Sequence, residues 1–156
     1  MAHGAWRTGF AGVLAGIVFA LLSALTFYAL GILPGILFNP AFQSPKVLAV
    51  MLTLEPLPVM QRAPYIIVVG WSVILVGYAF LFNHISVLWP QNYWTRLWRL
   101  TLLMWFFSLL FFEFQGPYNL LGEPLALIAL ELLFWAICAL GASAVIVAMS
   151  GRPRTA

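Results

Sequence analysis

A chain of 156 residues that is 64% hydrophobic and 7% charged, with a mean hydropathy of +1.04, has too few charges to cover a water-facing surface, because soluble domains carry about 25%. The +3 net charge is spread singly or in pairs, which excludes the clustered basic stripe of a nucleic-acid binder, and the lone Cys138 excludes an intrachain disulfide or a cysteine metal cage. At about 20 apolar residues per crossing, this length admits about four or five helices in one membrane domain.

The first apolar run, residues 10–33, follows Arg7 but far exceeds the roughly 7–15-residue core of a secretory signal, so it is predicted as a membrane helix closed by Pro34 and Gly35. Gly12, Gly16, Ala20 and Ala24 recur every fourth residue, a spacing that lets a second helix approach closely where lipid supplies no hydrophobic drive. Packing inside the bundle is the expected use, with dimerisation the alternative.

Residues 34–63 form a long connection with an apolar middle. Ser44 is a predicted N-cap with Pro45 at the first helical position, and the helix over residues 45–55 ends before Pro56 and Pro58. At about 16 Å it is too short to cross. Val47, Leu48, Val50, Met51, Leu52 and Leu54 surround most of its circumference, so it either lies flat at the interface or is re-entrant. Glu55 and Arg62, seven residues apart, are an ion-pair candidate on the same face.

The second crossing is predicted over residues 64–89, with Pro64 in its first turn and Pro90 stopping it. The third, 98–115, reaches membrane thickness only with Trp98 and Arg99 and is expected to stand nearly upright. The fourth, 124–149, precedes a polar tail. Strand-like alternation, repeats and low-complexity tracts are absent from the sequence, so the expected fold is all-α: one integral membrane four-helix bundle over residues 1–156 with an additional short helix. Placing both termini in the cytoplasm puts Arg7, Arg96, Arg99, Arg152 and Arg154 inside and only Lys46 and Arg62 outside, as cell-membrane proteins favour. Trp89, Tyr93, Trp94 and Trp98 gather at the same inner boundary.

Four polar residues within the predicted crossings are candidates for a site. Glu131 lies about 10 Å along the fourth helix, where an ionised carboxylate is expensive unless partnered; a short turn from Gly116 to Glu123 makes the third helix its antiparallel neighbour, with Glu113 within roughly one helical turn of the same depth. If they meet, like charges at close range cannot both ionise freely, and the pair can hold a proton or a cation; otherwise each has a separate structural role. Asn83 and His84 mark an inner-face polar site, but the only other histidine, His3, is in the N-terminal tail, so a two-histidine haem clamp is not available within the chain. The rings of Trp105, Phe106, Phe107, Phe111, Phe112 and Phe114 either line a groove for a quinone-like ligand or face lipid.

The sequence holds no phosphate-binding glycine loop, zinc-protease histidine pair or serine triad, and no aspartate at all. No metal or cofactor is expected, and the company expected is the lipid bilayer with a membrane-protein partner or a second copy of the chain. The leading expectation is a non-catalytic subunit, assembly partner or scaffold rather than an enzyme. The alternatives are a small proton- or cation-linked transporter using the intramembrane glutamates, and an enzyme or carrier for a lipid, quinone or isoprenoid.

Overall fold

The computed structural model describes residues 2–29 and 32–150. Four helices are long and apolar enough to cross a membrane: Gly4–Tyr28, Tyr65–Leu88, Tyr93–Leu120 and Leu125–Ser150, named here the first to fourth spans. The described residues contain no strand, and the fold is an all-α four-helix bundle in a lipid bilayer. Arg152 and Arg154, which contribute to the charge bias, lie outside the described residues, as do Leu30 and Gly31 of the first apolar run.

The first span occupies the middle of the arrangement, packed against the second and the fourth, while the third lies mainly against the fourth. Its contact with the second is set by two glycines. A Cβ built on Gly12 would lie 2.4 Å from Val76 Cα, and one on Gly16 would lie 2.4 Å from Ser72 Cα, so backbone meets backbone there. The small-residue stripe is therefore occupied within the chain as far as Ala20, which is buried, while Ala24 is exposed. Helix begins at Ala2, ahead of Phe10, since nothing in the preceding residues breaks it and Thr8 Oγ1 donates to the Gly4 carbonyl at 2.9 Å. Pro34 and Gly35 do not simply stop the chain; they sit inside a separate wide helical turn, Leu33–Leu37.

The third span is longer at both ends than the apolar run 98–115. Asn92 caps it, its Oδ1 accepting from the backbone N–H groups of Trp94 at 2.9 Å and Thr95 at 3.3 Å. Arg96, which as a charge marks a loop, is instead 7% exposed, because Nε donates to the Pro90 carbonyl at 3.1 Å and Nη2 to the Ser86 carbonyl at 3.0 Å. Those two carbonyls lie at the end of the second span, so the guanidinium ties the second–third connection to the helix that follows it. Wide π-type turns at Trp105–Leu110 and Phe114–Leu120 carry the helix past Gly116 and Pro117. Gly122, at φ 67°, then makes the reversal into the fourth span, a conformation that glycine adopts without strain.

The short helix of the long connection runs Pro45–Leu48 and continues as a wider turn over Ala49–Thr53, ending before Glu55. Ser44 caps it, with Oγ accepting from Val47 N–H at 3.1 Å. It sits at the end of the bundle that carries the third–fourth turn, here the loop end; the opposite end carries the N-terminus and the second–third connection.

Candidate functional site

Helical spacing places Glu131 and Trp135 four residues apart, hence on one face of the fourth span, and that face meets the third span at Glu113. Glu113 is 1% exposed. Its Oε1 accepts from Trp135 Nε1–H at 2.5 Å, whereas its Oε2 receives no N–H or O–H donor. The Glu131 carboxyl lies within hydrogen-bonding reach of Glu113. Two carboxylates are acceptors only, so a bond between them forms only when one carries a proton. The third and fourth spans thus bring the two intramembrane glutamates close to each other.

Three ring contacts hold Trp135, and with it the donor. Its ring lies 4.9 Å from Phe27, 5.7 Å from Phe19 and 5.9 Å from Trp71, centroid to centroid, so the first and second spans both brace it. Phe19 and Trp71 stack at 4.0 Å in the same cluster. Trp105 of the third span donates its Nε1–H to the Leu132 carbonyl at 2.9 Å, one residue from Glu131, and holds the third and fourth spans in register.

A third carboxylate, Glu123, lies in the turn just beyond the third span and is 4% exposed. Gln43 of the long connection, 5% exposed, donates its Nε2–H to Glu123 Oε1. Burial pushes the Glu123 carboxyl above the ordinary carboxylate range, and the Gln43 amide offsets part of that by favouring the ionised form. Glu123 lies near enough to Glu113 and Glu131 for its charge to be felt at both. Among the described residues no three acidic, histidine or cysteine groups converge as a metal site, so Glu123 is a neighbour of the pair rather than a third ligand beside it.

The remaining candidates do not join this site. Asn83 Nδ2 donates to Thr8 Oγ1 at 2.5 Å, linking the second span to the first near the N-terminal end. His84 is exposed, with Nδ1 at 3.0 Å from the Phe80 carbonyl of its own helix, so the two neighbours form no common pocket. Glu55 and Arg62 pair at 3.1 Å, but their side chains are 72% and 57% exposed, where such pairs contribute little. Phe106, Phe107, Phe111, Phe112 and Phe114 are exposed on the outside of the third span, away from the Glu113–Trp135 contact.

Trp135, Gln43 and Glu123 were not marked by the sequence reading. The position of Trp135 one turn beyond Glu131 is a signal that finds it, since a buried indole N–H seeks an acceptor. Gln43 and Glu123 carry no such signal, because polar residues in connections are ordinary. Comparison with protein-family models, with curated proteins and with solved structures finds no match for this chain.

Proposed function

We propose that this multi-pass membrane protein is a small proton- or cation-linked carrier whose working group is the Glu113–Glu131 pair. The observation that carries the reading is the Glu113 carboxyl, buried in the third span with one oxygen held by Trp135 and the other without an N–H or O–H donor, facing a second carboxyl within hydrogen-bonding reach. A bundle that needed only an interhelical hydrogen bond has cheaper solutions in serine, threonine or asparagine. A carboxyl pair in a low-dielectric setting alternates between holding one proton and exchanging it for a small cation, with the Trp135 N–H orienting the Glu113 oxygen in both states. With both termini in the cytoplasm, as the basic residues favour, the loop end and the pair near it lie toward the outside of the cell membrane.

The test is proton flux in vesicles containing the purified protein and an internal pH-sensitive dye, with an imposed pH or sodium gradient. Native protein is expected to dissipate the gradient, and Glu131→Gln and Glu113→Gln to abolish that flux while eluting as folded protein, since glutamine keeps the shape and cannot titrate. Native-like flux in Glu131→Gln, or no flux in the native protein, overturns the reading.

A second reading, a non-catalytic subunit or assembly partner, is favoured by one observation. Phe107, Phe111, Phe114 and Tyr118 form an exposed row at helical spacing on the third span. Recovery of a stoichiometric membrane partner in mild detergent, lost when Phe107 and Phe111 are both changed to Leu, supports that reading over the carrier.

A further inference from the structure

The long connection between the first two spans does not hang free at the loop end. Leu37, 1% exposed, packs with Phe27 against Leu127 and Phe134, and Ile32 and Leu130 extend the same cluster, so the connection covers the turns of the fourth span that carry Glu131. A few residues later the chain crosses to the third–fourth turn and is bonded there by consecutive polar groups. Gln43 Nε2–H donates to Glu123, Ser44 Oγ–H donates to the Leu121 carbonyl at 2.8 Å, and Lys46 Nζ donates to the Leu120 carbonyl at 2.6 Å. The Gln43 side-chain Oε1 accepts from Ser44 N–H at 2.7 Å, and Ser44 also caps the helix that follows, with Val47 buried.

These contacts join positions 74 to 80 residues apart in the chain. Leu120 and Leu121 are the last carbonyls of a helix end, groups that lack a partner inside their own helix and are otherwise satisfied by water. Supplying them from another segment places that segment where solvent would stand. Glu123, the one acidic member of this seam, is buried beneath it with Gln43 as its donor.

Resting on the reading of the carboxyl pair as an exchangeable site, we infer that residues 43–46 are a clasp that closes the loop-end solution off from Glu113 and Glu131, with Glu123 as its latch. Release of Gln43 and Ser44 uncovers the turn and gives water a route to the pair; their return seals it. The clasp then decides when the pair exchanges with that side, which a carrier needs if the site is not to stand open to both sides at once.

Access is read with two carbodiimides on the full chain in vesicles: lipid-soluble dicyclohexylcarbodiimide and a charged, water-soluble one added at the loop-end side, with modified glutamates located by peptide mapping. Native protein is expected to react at Glu113 or Glu131 with the lipid-soluble reagent and to resist the water-soluble one. Ser44→Ala and Gln43→Ala each remove a seam hydrogen bond and should raise water-soluble labelling about five- to tenfold with lipid-soluble labelling unchanged. Lys46→Met, at an exposed position, gives a smaller rise and guards against misfolding of the buried-site variants.

An independent measurement uses Glu131→Cys in a Cys138→Ala chain, modified by a charged thiol reagent: slow with the clasp intact, accelerated when Ser44→Ala is added. Equal water-soluble labelling of native and clasp variants, or an unprotected cysteine at position 131 in the unclasped and clasped chains alike, overturns the clasp. Loss of the carrier reading shows separately, as vesicle flux that ignores Glu131→Gln.

Discussion

The contact of Gly16 with the second span permits a quantitative test of how the bundle is held. In Gly16→Ala the new methyl would stand 2.4 Å from Ser72 Cα, 2.5 Å from Ser72 Oγ and 2.7 Å from Ser72 N. Two of those three atoms are backbone, so a rotamer change does not relieve the overlap. Carbon–carbon contact is comfortable from about 3.5 Å, so the two spans must part by roughly 1 Å, and a gap of that size forfeits roughly a quarter to a half of the dispersion well for atoms along the seam. Overpacking of this kind costs about 1–3 kcal/mol, and the better helix propensity of alanine returns about 1 kcal/mol, leaving a net loss of up to about 2 kcal/mol. Gly77→Ala is the control, because a Cβ there meets nothing within 4 Å and should bring only the propensity gain. Unfolding by SDS titration of detergent-solubilised protein, followed by the fluorescence of the seven tryptophans, reads both variants. An unfolding midpoint for Gly16→Ala at or above that of the native protein, or a shift equal to that of Gly77→Ala, refutes the backbone contact.

Arg96→Ala should destabilise the bundle by about 1–3 kcal/mol in the same titration, because the buried Ser86 and the outer Pro90 carbonyl both lose a charged donor, with Arg96→Lys restoring part of it; an effect near zero would mean the guanidinium is hydrated rather than buried. Stability should also fall as pH rises through the Glu123 titration. Burial raises this carboxyl above its unfolded value, so the folded chain holds the proton more tightly, and the contribution is complete below the ordinary carboxylate range and lost above the raised value. The groups that face it are Gln43 by hydrogen bond and Glu113 and Glu131 through space, so Glu123→Gln should flatten only its own part of the pH dependence of the thermal midpoint. An unchanged pH profile in Glu123→Gln removes the assignment.

The crossings were legible because lipid imposes a simple condition, a long apolar helix with satisfied backbone, and four such runs stand in the sequence. Their ends were less legible where a charged or breaking residue is used for something other than an end. Arg96 looks like loop charge, yet its donors are consumed by two carbonyls of the preceding connection, so the helix starts before it. Gly116 and Pro117 look like a turn, yet wide helical geometry absorbs a missing N–H that a regular helix would not. The glycine stripe gave the face but not the partner, since close approach between helices is equally served by another span or another chain.

The same distinction explains the polar site. Glu113 and Glu131 stood out because a carboxylate inside an apolar run is costly wherever it points, so depth alone made them candidates and the short turn between their helices made a meeting plausible on geometry. Trp135 was half-visible, being one of seven tryptophans and set apart only by its position one turn beyond Glu131. Gln43 and Glu123 were invisible because their burial is a tertiary event: each sits in a connection, where sequence expects water, and the two connections meet only in the folded chain, where Leu37 and Phe27 also pack on the fourth span. The cost of burying Glu123 is thus charged to a contact that the apolar packing of the long connection creates. A change such as Leu37→Ala is therefore expected to loosen the Gln43–Glu123 contact without touching it.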